Sequence, residues 1–216
     1  MWLMRMSWRA LRRDLRSGEL RLLAAALTVA VAAVACVGFL ADRVHRALEN
    51  TSHELLAADL RLSSDHPWPG DVAAAARREG LAVAATDAFL SMVTGADAEG
   101  AQLTAIKVVS DAYPLRGQLL VSADVTNESA AAKAPPPGTV WCDERLTALL
   151  HLSVGGTVKV GERRLHVGGV LTAEPDRGMN FLNLAPRLMM NLADLEGSGL
   201  IGVGSRVTYD LLVAGD

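Results

Sequence analysis

Lysine is scarce in this 216-residue sequence, and the few positions it holds exclude one class of function. The three lysines are Lys107, Lys133 and Lys159, and each is followed by an apolar residue rather than by serine or threonine. A phosphate-binding loop of the form G-x-x-x-x-G-K-[ST] therefore cannot be written anywhere in the sequence. We predict that this chain does not hydrolyse ATP itself.

Cysteine and aromatic residues are also few. Cys36 lies within a long apolar run and Cys142 follows a proline-rich loop, so a bridge would have to join a membrane segment to a polar domain. We expect no disulfide. Aromatic residues make up 4% of the sequence, and most of the chain is acidic, so nucleic-acid binding has no support.

Motifs for catalysis or metal binding are missing as well. No G-x-S-x-G can be written, since Gly204 directly precedes Ser205 in a stretch typical of a turn. His45, Glu49 and His53 share one helical face, but without a further His or Cys this stripe is more typical of a solvated helix than of a metal site. We predict a non-enzymatic protein with no cofactor and no metal.

Positive charge is concentrated at the start of the chain. Residues 1–21 hold six Arg against two acidic residues, while residues 22–216 hold 15 Lys plus Arg against 22 acidic residues. A basic end, an apolar segment and an acidic body are the order that the positive-inside tendency produces. We predict a cytoplasmic N-terminus and an exported acidic domain.

The apolar segment from Leu22 to Leu40 contains 19 residues without a charge. As a helix it would span roughly 28 Å, close to the thickness of the hydrocarbon core of a bilayer. It is longer than the usual core of a cleaved signal and runs on into a helical pattern, which favours an uncut transmembrane helix. A single anchor and the first helix of a bundle remain open.

Small residues recur along this helix and favour the bundle. Candidates for close packing against another spanning helix are Ala26, Ala30, Ala32, Cys36 and Gly38. An alanine-rich composition would give some of this spacing by chance.

The sequence divides into four predicted parts. Residues 1–18 mix Trp and Leu with Arg, as suits a cytoplasmic interfacial elbow helix. Residues 19–41 form the transmembrane helix and residues 42–57 a helical stalk. Residues 58–216 form an extracytoplasmic domain with the order β-α-β-β-loop-α-β-β, so the fold class is α+β. The loop is placed at residues 126–138.

Three polar clusters of the exported part carry candidate interaction residues. They are "YPLRG", "EPDRG" and "GSRV", which contain Arg116, Asp176, Arg177 and Arg206. Together with Glu174, these side chains have the types needed for an acid/base site with an anion clamp. Ion pairs that fix turns are the commoner use of such residues in loops.

Two stretches resemble a known family. "GTVWCDERLTALLHLSVGGTVKVGERRLHVGGVL", residues 138–171, is similar to the exported core domain of MacB-type and FtsX-like ABC transporter permeases, in which a helix precedes a hairpin. Residues 155–158 match the start of that hairpin and residues 167–170 match its end. "RSGELRLLAAALTVAVAAVACVGFLADRV", with the three polar clusters, looks like the lipid-related branch of the family.

The resemblance implies a permease subunit in the bacterial cytoplasmic membrane. It implies a cytoplasmic P-loop ATPase as partner, a second permease copy or paralogue, and a lipophilic or amphiphilic substrate moved across or out of the membrane. Family permeases have four or more spanning helices, so the resemblance also implies that this sequence is a fragment. The alternative is a single-pass, membrane-anchored envelope sensor or scaffold.

Overall fold

A computed structural model describes residues 18–95, 100–123, 130–177, 185–202 and 204–215. The chain divides into two compact units, Met1–Asn50 and Thr51–Asp216. The first unit is dominated by a long helix, and the second contains all the described strands.

Helix α1 runs without interruption over Gly18–Leu56. Its stretch Arg21–Val44 is long and apolar enough to cross a membrane, and its apolar side chains are exposed. The Thr28 hydroxyl donates to the Ala24 carbonyl at 2.8 Å, which satisfies that polar group in apolar surroundings. Because α1 continues through residue 41, no break in the helix marks the predicted division between spanning helix and stalk. The predicted elbow lies outside the described residues apart from Gly18.

Among its described residues, the second unit has two shorter helices and one 3-10 turn. Helix α2 covers Gly70–Arg78, helix α3 covers Glu144–Leu149, and the 3-10 turn covers Leu192–Asp194. The described strands are β1 Leu60–Ser64, β2 Ala82–Gly95, β3 Ala101–Val109, β4 Leu119–Ser122, β5 Ala130–Ala132, β6 Thr139–Asp143, β7 Thr157–Val160, β8 Arg163–Ala173, β9 Arg187–Asn191 and β10 Thr208–Ala214.

The strands form one mixed sheet with the order β1-β10-β2-β3-β9-β6-β8-β4-β5. The β3/β9 and β6/β8 pairs are parallel, and the other described pairs are antiparallel. Strand β7 pairs with both β2 and β8. The pairings β2-β3-β9-β6-β8-β7 therefore close into a ring, and the remaining strands extend from it.

The ring encloses the larger apolar core. Each of its six strands contributes two buried side chains an even number of positions apart, four in β2 and two in the others, as expected where alternate residues point to one side of a strand. They are Phe89 and Val93, Ile106 and Val108, Leu188 and Met190, Val140 and Cys142, Leu165 and Val167, and Val158 and Val160. Leu146 of α3 is also buried among them.

A second apolar core includes Tyr113, Trp141, Met189 and Leu212. It also includes Ala57, the first residue after α1, which adopts a positive φ of 56°. Ala57, directly after α1, is therefore already part of the packed interior of the second unit.

Two adjacent glycines of β8 permit close contacts with neighbouring strands. A Cβ on Gly168 would lie 2.3 Å from Thr139 Cγ2, and one on Gly169 would lie 2.4 Å from Val121 Cγ1. Both distances are far below van der Waals contact, so a larger side chain would force the strands apart. This explains the glycine pair at the end of the hairpin.

The α+β fold class is confirmed, with an N-terminal apolar helix followed by a mixed sheet. The predicted hairpin around Gly161 is present as β7 and β8. The loop predicted at residues 126–138 was wrong in part, because Ala130–Ala132 forms β5. Strand β5 forms by antiparallel pairing with β4, the strand that precedes it in the sequence. The helix predicted to open at Asp143 is present as α3, with Asp143 as its N-cap, and the preceding Cys142 lies in β6 and pairs with Leu188 of β9.

Candidate functional site

The carboxylate of Asp176 lies in a buried cluster of charged groups beside the second core. Lys107 Nζ donates to Asp176 Oδ1 at 2.6 Å, to Glu174 Oε1 at 2.6 Å and to Tyr113 Oη at 2.8 Å. The Tyr113 hydroxyl in turn donates to Asp176 Oδ1. Arg187 Nε lies 3.2 Å from Glu174 Oε2. We call these five residues the Lys107 cluster.

The charges of the Lys107 cluster balance, with two cations against two carboxylates. Burial alone would raise the pKa of Asp176, but the charge and hydrogen bond of Lys107, with the Tyr113 hydroxyl, hold it below its ordinary value. Burial, together with the charges of Asp176 and Glu174, raises the pKa of Tyr113 well above its ordinary value. Tyr113 therefore stays protonated and acts as a hydrogen-bond donor.

The geometry of the cluster suits structure better than catalysis. An ammonium group has three N–H donors, and all three on Lys107 are engaged within the protein. The side chain of Glu174 is fully buried and that of Asp176 is 3% exposed, which leaves little room for a substrate. The cluster ties residues 174–176, which follow β8, to the face of β3.

Arg116 occupies a separate place, at the point where the chain leaves α1. Its guanidinium donates from Nε to Asp59 Oδ1 at 2.9 Å and from Nη2 to Asp59 Oδ2 at 2.8 Å, a bidentate pair. It also donates to the carbonyl of Gly215, and the backbone N–H of Gly215 donates to Asp59 Oδ2 at 3.0 Å. The N–H groups of Leu115 and Arg116 both donate to the carbonyl of Ala57 at 3.0 Å. We call this arrangement the Arg116 clamp.

Arg177 stabilises the start of α3. Its Nη2 donates to Asp143 Oδ2 at 2.9 Å, while Asp143 Oδ1 accepts from the N–H of Leu146 at 2.9 Å. Asp143 is thus the N-cap residue of the helix, as the sequence predicts. Arg177 thereby supplies a charged hydrogen bond to the second oxygen of this buried carboxylate.

Arg206 lies apart from the other candidates, in an open cleft of about 830 Å³. The cleft is lined by residues 65–66, by residues 88–90 of β2 and by residues 205–208. Arg206 forms no hydrogen bond or ion pair within the part of the chain that the structure describes. We call this feature the Arg206 cleft.

A pair of acidic side chains near β10 was not singled out from the sequence. Asp210 is buried and binds Arg61 Nη2 at 2.5 Å and the Ser63 hydroxyl. Burial, together with the charge of Asp210, raises the pKa of Asp87 to about 6. The Asp87 carboxyl group therefore ionises at a higher pH than an ordinary aspartate does.

The predicted acid/base constellation is therefore divided among several places. Asp176 and Glu174 meet in the Lys107 cluster, Arg177 binds Asp143, and Arg116 binds Asp59. Their role as interaction residues stays a prediction, as does the packing role of the small residues of α1, which are exposed where the structure describes them.

Lys107 was missed although the sequence holds a signal for it. It lies within "AIKVV", between apolar residues of a strand that is buried along this part. A lysine is almost never fully buried without a partner, so a charged residue in such a run indicates a buried carboxylate nearby. Which carboxylate it is depends on the fold, because Glu174 lies 67 residues away.

Comparison with known proteins bears on this architecture. No family model matches the chain. The chain is 37% identical over 197 residues to YbbP, an uncharacterized ABC transporter permease of Escherichia coli strain K12. The predicted resemblance to an ABC transporter permease is confirmed. The match covers 91% of this chain and 23% of the permease, so the chain spans about a quarter of the length of its relative.

Two solved structures have a distantly similar fold. The periplasmic region of MacB from Actinobacillus actinomycetemcomitans is 11% identical, with a TM-score of 0.41 over 62% of this chain and 58% of that one. A domain of a candidate permease protein from Porphyromonas gingivalis is 14% identical, with a TM-score of 0.40 over 61% of this chain and 60% of that one. The resemblance to a permease rests on the sequence match.

Proposed function

We propose that this chain is part of the permease subunit of an ABC transporter in the bacterial cytoplasmic membrane. The observation that carries the proposal is the 37% identity to an ABC transporter permease along 91% of the chain. The exposed apolar stretch Arg21–Val44 of α1 is consistent with it, because such a surface is stable in lipid and unfavourable in water. In this function the chain is not an enzyme.

The proposed topology places residues 1–18 in the cytoplasm and the sheet domain outside it. Residues 1–21 carry a net charge of +4 and residues 22–216 carry −7, counting Lys and Arg against Asp and Glu. Arginine is retained on the cytoplasmic side of a membrane during insertion. The spanning part would end near residue 41, and the rest of α1 would continue outside the bilayer.

The proposed role of the chain is mechanical. A P-loop ATPase on the cytoplasmic side would supply the energy, and a second permease copy or paralogue would complete the pathway for a lipophilic or amphiphilic substrate. The Arg116 clamp supports this role, because it fixes the first residues after α1 to the end of β10 by a bidentate ion pair and backbone hydrogen bonds. A displacement of residues 57–59 would then be transmitted to the end of β10.

Copurification tests the partner. The full-length permease that contains this chain would be tagged, expressed in its native host and purified with its bound proteins. We expect a P-loop ATPase in near-equal amount, together with vanadate-sensitive ATP hydrolysis that the permease alone lacks. A full-length protein with one spanning helix and no bound ATPase would refute the proposal and favour the envelope sensor.

Cysteine labelling tests the topology. The background carries Cys36→Ala and replaces any cysteine of the longer permease outside residues 1–216. Cys142 is buried, so an introduced cysteine then reports its own location. Ser7→Cys and Asp71→Cys place single thiols on the two proposed sides. A membrane-impermeant maleimide added to spheroplasts should label the thiol at position 71 and spare that at position 7 until the membrane is lysed. Equal labelling of both in intact spheroplasts would contradict the proposed topology.

A further inference from the structure

The Arg206 cleft lies at a gap in the sheet. On one edge of β2, strand β10 pairs up to Ala88 and strand β7 begins to pair at Val93. Residues 89–92 of β2 have no described strand on that edge, although β3 pairs with them on the other edge. The volume of about 830 Å³ falls within the usual range for sites that bind small molecules.

The polar side of the cleft suits an anion. Arg206 has no ion pair in the described chain, whereas Arg61, Arg163 and Arg177 each hold a carboxylate. Ser205 Oγ accepts a hydrogen bond from the N–H of Gly202 at 2.9 Å, and its own proton can be donated to a ligand. A planar guanidinium beside a hydroxyl is a common arrangement for a carboxylate or a phosphate.

The cleft wall also contains one carboxylate, that of Asp65. Asp65 Oδ1 lies 2.6 Å from His66 Nδ1, so this carboxylate has a hydrogen-bond partner within its own turn. Arg206 is the one Arg or Lys among the residues that line the cleft.

An apolar strip continues from the cleft along the sheet. Leu90 lines the cleft and is 46% exposed, Met92 is 50% exposed and Leu103 is 47% exposed. Leu90 and Met92 are two positions apart on β2, and Leu103 pairs directly with Met92, so all three point to one side of the sheet. Large exposed apolar side chains grouped in this way mark a binding surface.

We propose that the Arg206 cleft binds the headgroup of a single-chain anionic amphiphile, a carboxylate or a phosphate, with its hydrocarbon chain along Leu90, Met92 and Leu103. The cation and hydroxyl match the headgroup, and the strip beside them matches the chain. That this ligand is a transported substrate rests on the proposed function, while the binding itself does not.

Competition labelling tests the site in the full-length permease, held in nanodiscs of phosphatidylcholine. A photoactivatable dodecanoate is crosslinked to the permease in the presence of one competitor: dodecanoate, dodecyl phosphate, dodecanol or inorganic phosphate. We expect the two anionic dodecyl compounds to compete, and the tighter of them identifies the headgroup. Competition by dodecanol equal to that by dodecanoate, or by inorganic phosphate equal to that by dodecyl phosphate, would overturn the proposal.

Variants locate the binding. Arg206→Gln should weaken the binding of both anionic dodecyl compounds at least about ten-fold, since a hydrogen bond to a charged group is lost. Met92→Ser should weaken the binding of dodecanoate while leaving the preference between a carboxylate and a phosphate headgroup unchanged. Arg164→Gln is the matched control, because Arg164 is an exposed arginine of β8 that does not line the cleft. Equal labelling of Arg206→Gln and Arg164→Gln would overturn the proposal.

The two proposals fail separately in these experiments. If labelling depends on Arg206 but the protein has no ATPase partner, the proposed function is refuted and the amphiphile site is supported. If an ATPase copurifies but labelling does not depend on Arg206, the amphiphile site is refuted and the proposed function is supported.

Discussion

Replacing Lys107 with methionine should destabilise the sheet domain strongly. The change removes the cation that contacts both Glu174 and Asp176 while leaving the two carboxylates buried. Breaking a buried ion pair by removing one partner costs about 3–5 kcal/mol, because a buried charge is left uncompensated. Arg187 remains near Glu174 at 3.2 Å and should keep the cost toward the lower end of that range.

Thiol reactivity of Cys142 gives a local measurement of this loss. Cys142 is fully buried in the core inside the ring, and burial raises the pKa of its thiol to about 12, so it reacts only when the domain opens. With Cys36→Ala as background, the extent of maleimide labelling against urea concentration gives the free energy of unfolding of the sheet domain. For a slope of about 1–3 kcal/mol per molar urea, the midpoint should fall by roughly 1–3 M.

Lys159→Met is the matched control, since Lys159 is an exposed lysine of β7. We expect that variant to keep the midpoint of the parent. The double variant with Lys107→Met and Asp176→Asn should recover part of the loss, because Arg187 and Glu174 then balance each other within the cluster. A loss in Lys107→Met no larger than in Lys159→Met would show that the Lys107 cluster does not stabilise the domain as reasoned here.

Three further predictions concern urea unfolding of the sheet domain, measured by thiol labelling at neutral pH and by tryptophan fluorescence where the pH is varied. The pKa of Asp87 rises from 3.8 to about 6 on folding, so the parent should lose stability as the pH rises from about 4 to 6. Asp87→Asn should abolish this loss. At pH 7 it should stabilise the domain by about 1 kcal/mol, after allowance for solvent screening. A pH profile unchanged by the substitution would contradict this. Gly169→Ala should cost about 1–3 kcal/mol through its contact with Val121, whereas Gly202→Ala, with open space around it, should cost nothing measurable. Arg116→Lys keeps the charge but loses the bidentate geometry, so it should cost about 1 kcal/mol, and a variant as stable as the parent would argue against the clamp.

Elements defined by local patterns were predictable from the sequence. Helix α1 follows from its long apolar run, and the β7/β8 hairpin follows from alternation on either side of Gly161. The start of α3 follows from the capping preference of Asp143. In each case the deciding interactions lie within a few residues of one another, so the sequence around them contains the necessary information.

Elements defined by distant partners were not predictable. Strand β9, "RLMMN", is five residues long and buried at every position, so it shows no alternation. It becomes a strand because it lies between β3 and β6, to which it is parallel and antiparallel respectively. Closure of the ring through β7 likewise depends on pairing between Val93 and Val160, which no local pattern specifies.

The same distinction explains why the candidate residues were identified but their grouping was not. Arg116, Asp176 and Arg177 were selected as charged residues beside turns, and each makes a charged contact with a partner at least 34 residues away. A charge at a turn shows that a partner exists, while the sheet topology decides which one. Arg206 differs from them because it has no ion-pair partner among the described residues and lines a cleft with an apolar border. Contacts within the fold therefore account for the first three positions, while the fourth is the residue on which the proposed amphiphile site depends.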